Sequence, residues 1–183
     1  MTQIQYEAEP AEAALVFGDR INLARKYTDL LATNSETLGL LGPRELPKIW
    51  TRHVLHSALP AELIPAGSKV ADIGSGAGLP GIPLAIALPD SHFVLIEPME
   101  RRANWLSQVA TELGLTNVEV IRARAEEVEI TDFDIVTARA VAAMDKLVKM
   151  FTPLLRAEFL GVPPRSLCPQ PCYRLELVPR GER

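Results

Sequence analysis

Apolar positions along this 183-residue chain follow two rhythms, and the change falls at Ser68. Before it the spacing is helical. Residues 11–31 read as one helix with Phe17, Ile21, Ala24 and Thr28 on one side and Leu30 and Leu31 beside them. Residues 33–42 read as a turn. Pro43 then opens a second helix whose buried stripe is Leu46, Ile49, Trp50 and Val54, a proline being tolerated where no hydrogen bond is lost. After Ser68, short apolar runs alternate with helical ones. Strands are expected at 70–73, 92–97, 118–122 and 133–137, and helices at 79–88, 101–113 and 141–151. Pro80 and Pro83 fall in the first turn of their helix. Ala103, Leu106, Ala110 and Leu113 line the next, which Gly114 ends. Met144, Leu147, Val148 and Phe151 are expected to face inward from the last. Strands alternating with helices predict an α/β fold, a Rossmann-like parallel sheet covered on both faces behind N-terminal helices.

Composition sets bounds on this picture. The chain is 48% hydrophobic and 23% charged, with mean hydropathy +0.10. That describes an ordinary globular protein of one main domain with at most a small appendage. No run approaches the ~20 apolar residues that cross a bilayer, so no membrane partner is expected. The acidic start, Met1 to Pro10, does not resemble a secretory signal, and a cytoplasmic monomer is expected. Cys168 and Cys172 are too few for a disulfide framework, and neither a Cys nor a His pair is spaced to complete a zinc site. His53 and His56 stand three apart without a third ligand, so packing or hydrogen bonding is expected of them and no metal. Trp50 and Trp105 lie on helical stripes and read as core. A net charge of −4 gives no global reason to bind nucleic acid. Between Arg20 and His56 the balance reverses: Arg20, Arg25, Lys26, Arg44, Lys48 and Arg52 face three acids.

Chemistry concentrates in Val70-Ala71-Asp72-Ile73-Gly74-Ser75-Gly76-Ala77-Gly78-Leu79-Pro80-Gly81. Glycines directly after a strand remove the Cβ atoms that would hold a ligand off the backbone. Glu97 ends the next strand, where a carboxylate can accept from both ribose hydroxyls of a nucleotide. Glu126 follows the third strand, beside the adenine of such a ligand. Residues 76–81 also match the dinucleotide fingerprint G-x-G-x-x-G, so an NAD(P)-dependent oxidoreductase is the alternative. Against it, Gly74 displaces the register by two, and Asp72 puts negative charge where a pyrophosphate would sit. A carboxylate there suits a cationic, phosphate-free nucleoside such as S-adenosyl-L-methionine.

Asp72-Ile73-Gly74-Ser75-Gly76-Ala77-Gly78-Leu79-Pro80-Gly81-Ile82-Pro83-Leu84-Ala85 resembles the cofactor motif of the glucose-inhibited division protein B family, the 16S ribosomal RNA guanine-N7 methyltransferases. The Leu-Pro-Gly-Ile-Pro stretch is more diagnostic than the glycines. Trp50 to Ser57, Arg124-Ala125-Glu126-Glu127 and Thr137-Ala138-Arg139-Ala140 agree, and Gly39 to Glu45 is most similar to actinobacterial members. The resemblance covers about residues 15–156. It implies an S-adenosyl-L-methionine-dependent methyltransferase acting on 16S ribosomal RNA or the small ribosomal subunit. Gly74 and Leu79 would line the methionine and ribose side, Ala125 and Glu126 would hold the adenosine, and Arg139 would reach where cofactor and guanine meet. Glu97 is added on the ribose argument alone. Arg139 is expected to bind guanine O6 or a phosphate; the alternative is an ion pair with Asp72, Glu97 or Glu126. Arg101, Arg102, Arg122, Arg124 and Arg139 join the earlier bases as candidates to grip RNA.

The resemblance stops after Leu155-Arg156. The family continues with a Pro-Gly turn, a strand ending in Leu-Lys-Gly, a helix and two further strands. Here the Lys-Gly is absent, and six of the fifteen prolines fall after residue 152. Only 158–162 and 173–178 could be strands. The chain therefore reads as a helical segment over 1–66, a cofactor-binding domain over 67–160 and an irregular tail over 161–183. The sheet is expected to be incomplete on its C-terminal side, and an inactive truncated methyltransferase is a further alternative.

Overall fold

A computed structural model describes residues 6–139 and 144–155. Its centre is a four-stranded, all-parallel sheet with order β3-β2-β1-β4: β1 (Lys69–Ile73), β2 (His92–Ile96), β3 (Val118–Ile121) and β4 (Ile135–Ala138). Alternate side chains of the central strands bury on opposite faces. Val70, Phe93 and Leu95 join one core, and Ala71, Ile73, Val94 and Ile96 join the other. Burial on both faces explains why these strands are mostly apolar instead of alternating with polar residues, Asp72 being the buried exception.

The first face is covered by α4 (Gly81–Ala87), α5 (Glu100–Leu113) and the N-terminal helices. The second is covered by α6 (Met144–Phe151), through Leu147 and Phe151, and by Leu154. Phe133 makes a parallel bridge to Leu155, so the chain comes back beside the β4 edge. Trp50 and Trp105 are buried, as their stripes implied.

The helical boundaries differ from the sequence reading. The expected 11–31 helix is two, α1 (Glu12–Phe17) and α2 (Ile21–Leu38), broken at Gly18, whose φ of +49° belongs to the left-handed side of backbone space. Most of the expected 33–42 turn is helix, because Ala32 and Ser35 bury with the rest of the α2 stripe; the chain turns only at Gly39, φ +62°. Nothing helical starts at Pro43. A tight turn of helix spans Leu46–Lys48, the chain widens to i→i+5 winding over Ile49–Leu55, continues as α3 (His56–Ala58), and tightens again over Leu59–Leu63. Pro80 precedes α4 instead of lying in its first turn. Glu97 and Arg122 lie just past the ends of their strands. The fourth strand sits two residues later than expected at its start. Val148 is 41% exposed, so it does not face in as predicted, whereas Leu147 and Phe151 do. The start of the expected 141–151 helix, the possible strands at 158–162 and 173–178, the 161–183 tail and both cysteines lie outside the described residues.

Candidate functional site

In an open parallel sheet the crevice lies beyond the carboxyl ends of the strands. Here β1 leads to the 74–78 turn, β2 to Glu97, β3 to Ala125 and Glu126, and β4 to Arg139. The topology thus gathers every cofactor residue expected from sequence at one edge.

The turn is held from three sides. Gly74 and Ser75 donate their N–H groups to the Ile96 carbonyl, at 2.8 and 3.2 Å. Glu97 Oε2 accepts from Gly76 N–H at 2.9 Å and Oε1 from Met99 N–H at 3.0 Å. The Ala77 carbonyl accepts from Tyr27 Oη on α2 at 3.0 Å and from Trp105 Nε1 on α5 at 3.1 Å. Tyr27 is fully buried, and its phenol is pushed well above its usual pKa, chiefly by that burial. The sequence reading missed Tyr27. Its place on the α2 stripe, three residues beyond Ala24, was the available signal, but that spacing reports burial and not the aim of a hydroxyl.

The glycines divide by job. At Gly76, φ +56°, an added Cβ would lie 3.6 Å from its nearest neighbour, so this backbone is bare toward the crevice. At Gly78 a Cβ would sit 2.8 Å from Ile82 and 3.2 Å from the Tyr27 hydroxyl. At Gly81 it would collide with Leu95 and lie 2.7 Å from Asp72 Oδ2. Gly78 therefore lets the turn pack closely on α2, α4 and α5, which corrects the expectation that its missing Cβ opens the backbone to a ligand, and Gly81 lets α4 pack on β1 and β2.

Asp72 also differs from its expected role. It points down with Val70 into the first core and is fully buried. Oδ2 accepts from Gly81 N–H at 3.1 Å, and Oδ1 lies 3.2 Å from Thr137 Oγ1. Burial pushes its carboxyl up to about 7, against the pull of these hydrogen bonds. Ser75 Oγ donates to its main-chain carbonyl at 2.8 Å. Asp72 thus caps the start of α4. Ile82 N–H is bonded to the Gly78 carbonyl at 2.8 Å, Pro83 has none, and Leu84 N–H is bonded to the Pro80 carbonyl at 3.1 Å. The amides that would receive a pyrophosphate at a helix start are consumed internally, so the start of α4 offers such a group no free donors at Gly81, Ile82 or Leu84.

Leu79 and Ala125 are buried, and Glu126 is exposed at the short helical turn Ala125–Glu127. Arg139 is half-buried and, among the described residues, pairs with none of Asp72, Glu97 and Glu126. It crosses instead to the N-terminal segment. Nη1 donates to Ser57 Oγ at 3.1 Å, and Nη2 lies 3.0 Å from His53 Nδ1 and 3.4 Å from the Arg52 carbonyl. His53 is buried and hydrogen-bonded, as expected.

Several RNA candidates are committed elsewhere. Arg25 pairs with Glu9 at 2.6 Å, Arg122 with Glu100 at 3.3 Å and Arg52 with Glu45 at 3.4 Å. Lys26 caps the Glu112 carbonyl at 2.6 Å, and Arg101 the Leu38 carbonyl at 2.9 Å. Arg102 reaches the Gly39 carbonyl at 3.5 Å. The contacts of Lys26, Arg101 and Arg102 close helix ends and pin the N-terminal segment to the sheet domain.

A family model described as "rRNA small subunit methyltransferase G" matches residues 20–160. The ribosomal RNA small subunit methyltransferase G of Leifsonia xyli subsp. xyli is 56% identical over 151 residues, 82% of this chain and 72% of that protein. The protein of the same name from Pseudarthrobacter chlorophenolicus is 51% identical over 162 residues, 87% of this chain and 75% of that one. The Mycolicibacterium smegmatis protein is 54% identical over 153 residues, 81% of this chain and 65% of that one. Among solved structures, that of M. jannaschii TYW2 in complex with AdoMet superposes with a TM-score of 0.51 at 24% identity, over 59% of this chain and 50% of that one, a likeness of fold.

Proposed function

The chain belongs to the rRNA small subunit methyltransferase G family, and from that premise we propose that its crevice binds S-adenosyl-L-methionine and methylates N7 of a guanine in 16S ribosomal RNA. The observation that carries the reading is the turn at the end of β1. Its backbone is bare at Gly76, its helix-start amides are spent on Asp72 and main-chain carbonyls, and the Glu97 side chain is bonded against it. The NAD(P) alternative lacks a place for its pyrophosphate.

When bound, S-adenosyl-L-methionine supplies a methyl carbon on a sulfonium, open to in-line attack by the N7 lone pair. Guanine N7 carries no proton, so no side chain of this protein needs to act as a base. The protein's task is positioning, worth ~7–11 kcal/mol when reactants are held in attack geometry. Gly74 and Leu79 line the methionine and ribose side. Glu97 uses two of a carboxylate's roughly four acceptor sites on the turn, which leaves capacity for ribose hydroxyls. Ala125 forms the floor under the adenosine and Glu126 its outer edge. Arg139 stands at the end of β4, where a planar guanidinium can hold guanine O6 or a backbone phosphate.

Isothermal titration of the full chain with S-adenosylhomocysteine, NAD and NADP tests the cofactor. Binding of the first alone is expected; binding of either dinucleotide in its place overturns the reading. Transfer of a labelled methyl group to small ribosomal subunits lacking the modification tests the substrate. A methyl recovered anywhere but guanine N7 would refute that part.

A further inference from the structure

Resting on the proposed methyl transfer, we infer that His53 is a positioning residue: a neutral imidazole that accepts a hydrogen bond from Arg139, donates one to Glu45, and so fixes the guanidinium at the mouth of the crevice. Arginine has donors only. The 3.0 Å contact between Arg139 Nη2 and His53 Nδ1 therefore requires a bare lone pair on Nδ1. The ring proton must then sit on Nε2, and Glu45 Oε2 lies 2.8 Å from that atom, ready to accept it. The tautomer follows from the two partners. Ser57 holds Nη1 at 3.1 Å, so the guanidinium is gripped at two of its three nitrogens by the N-terminal segment.

A second proton on His53 would place N–H against N–H and bring two cations together. The groups facing the imidazole are Glu45, from the loop before the segment, Arg52, from its own turn, and Arg139, from the end of β4; Lys48 acts on Glu45 and Tyr27 on Arg139. Burial holds the imidazole below its usual value, opposed by the Glu45 hydrogen bond and assisted by the Arg139 charge. The neutral form thus persists through neutral pH. Acidification through that lowered value is expected to release Arg139 and to slow methyl transfer more than it weakens cofactor binding.

The test compares the wild-type chain with H53L and H53N. The Asn side-chain oxygen stands close to where Nδ1 stands and can accept from Arg139. With small ribosomal subunits lacking the modification, H53L is expected to lose at least tenfold in kcat while its affinity for S-adenosylhomocysteine falls by much less than that. H53N is expected to recover a large part of that loss and to lack the acid limb of the wild-type pH profile. Nitrogen-15 NMR of the full wild-type chain at pH 7.5, with the His53 signals assigned by their loss in H53N, should show the proton on Nε2. A proton on Nδ1, an unchanged kcat in H53L, or parallel losses of kcat, cofactor affinity and Tm unrelieved in H53N would each overturn the inference alone. A wild-type chain that transfers no methyl group overturns the parent reading and this inference with it.

Discussion

The two corners of the crevice are built in opposite ways. At the end of β1, the turn is braced largely by residues near it in sequence or on the adjoining strand: Asp72, Ser75, Gly78, Gly81 and Glu97. Most of these groups are buried, and each bond closes a gap in the strand-to-helix junction. At the end of β4, Arg139 is held by His53 and Ser57, more than eighty positions away, with Glu45 behind. The first corner is closed by bonds within the strand-to-helix junction, and the second joins two distant stretches of the chain through His53 and Ser57, which are themselves buried. Damage to the first should therefore unfold the protein, and damage to the second should spare the fold and slow the reaction.

The largest expected effect is that of Gly81→Ala. The new methyl group collides with Leu95 and crowds the Asp72 carboxylate, forcing the helix off the strand. Overpacking costs about 1–3 kcal/mol, and disturbing a buried charged hydrogen bond adds about 1.5–3 kcal/mol. Urea unfolding should thus show a loss of about 3 kcal/mol or more. A variant as stable as wild type would break the contrast, because it would make the β1 corner as tolerant as the β4 corner.

Asp72→Asn sharpens the contrast through pH. Burial raises the Asp72 carboxyl from its usual 3.8 to about 7, so the folded state favours the protonated form. The stability this group contributes is complete below its unfolded value and is lost as pH rises through the folded value. The amide variant has no such loss. Its stability relative to wild type should increase between pH 4 and pH 8 by roughly 4 kcal/mol, at about 1.4 kcal/mol per unit up to the folded value. Paired urea titrations across that range check the slope. A flat difference would mean that Asp72 is not held in an apolar setting.

The smallest effect is expected from Tyr27→Phe. The Ala77 carbonyl loses one of two donors and keeps Trp105. About 0.5–1.5 kcal/mol of stability should go, with a several-fold weaker affinity for S-adenosylhomocysteine by titration calorimetry. If affinity is unchanged, the hydroxyl supports the fold without shaping the cradle.

These comparisons also show what could be read from residue order. The parallel sheet was legible because strands buried on both faces are mostly apolar, and the glycine turn because few other residues tolerate its backbone. Boundaries were less legible. Ser35 extends α2 past the expected turn because its hydroxyl bonds back to the Leu31 carbonyl at 2.6 Å, so a polar residue buries on a helical stripe. Gly78 looked ligand-facing because a missing Cβ has the same signature whether a cofactor or the side chains of neighbouring helices fill the space.

Local pattern by itself determined the class of fold, the position of the glycine turn after β1 and the acids at the following strand ends, since each depends on periodicity or on backbone freedom within a few residues. Tertiary structure alone decided that Asp72 faces the start of α4, that Tyr27 and Trp105 converge on one carbonyl, and that His53 turns a bare nitrogen toward Arg139. A side chain's hydrogen-bond partner depends on where distant segments meet, and spacing along the chain carries no information about that until the core has closed.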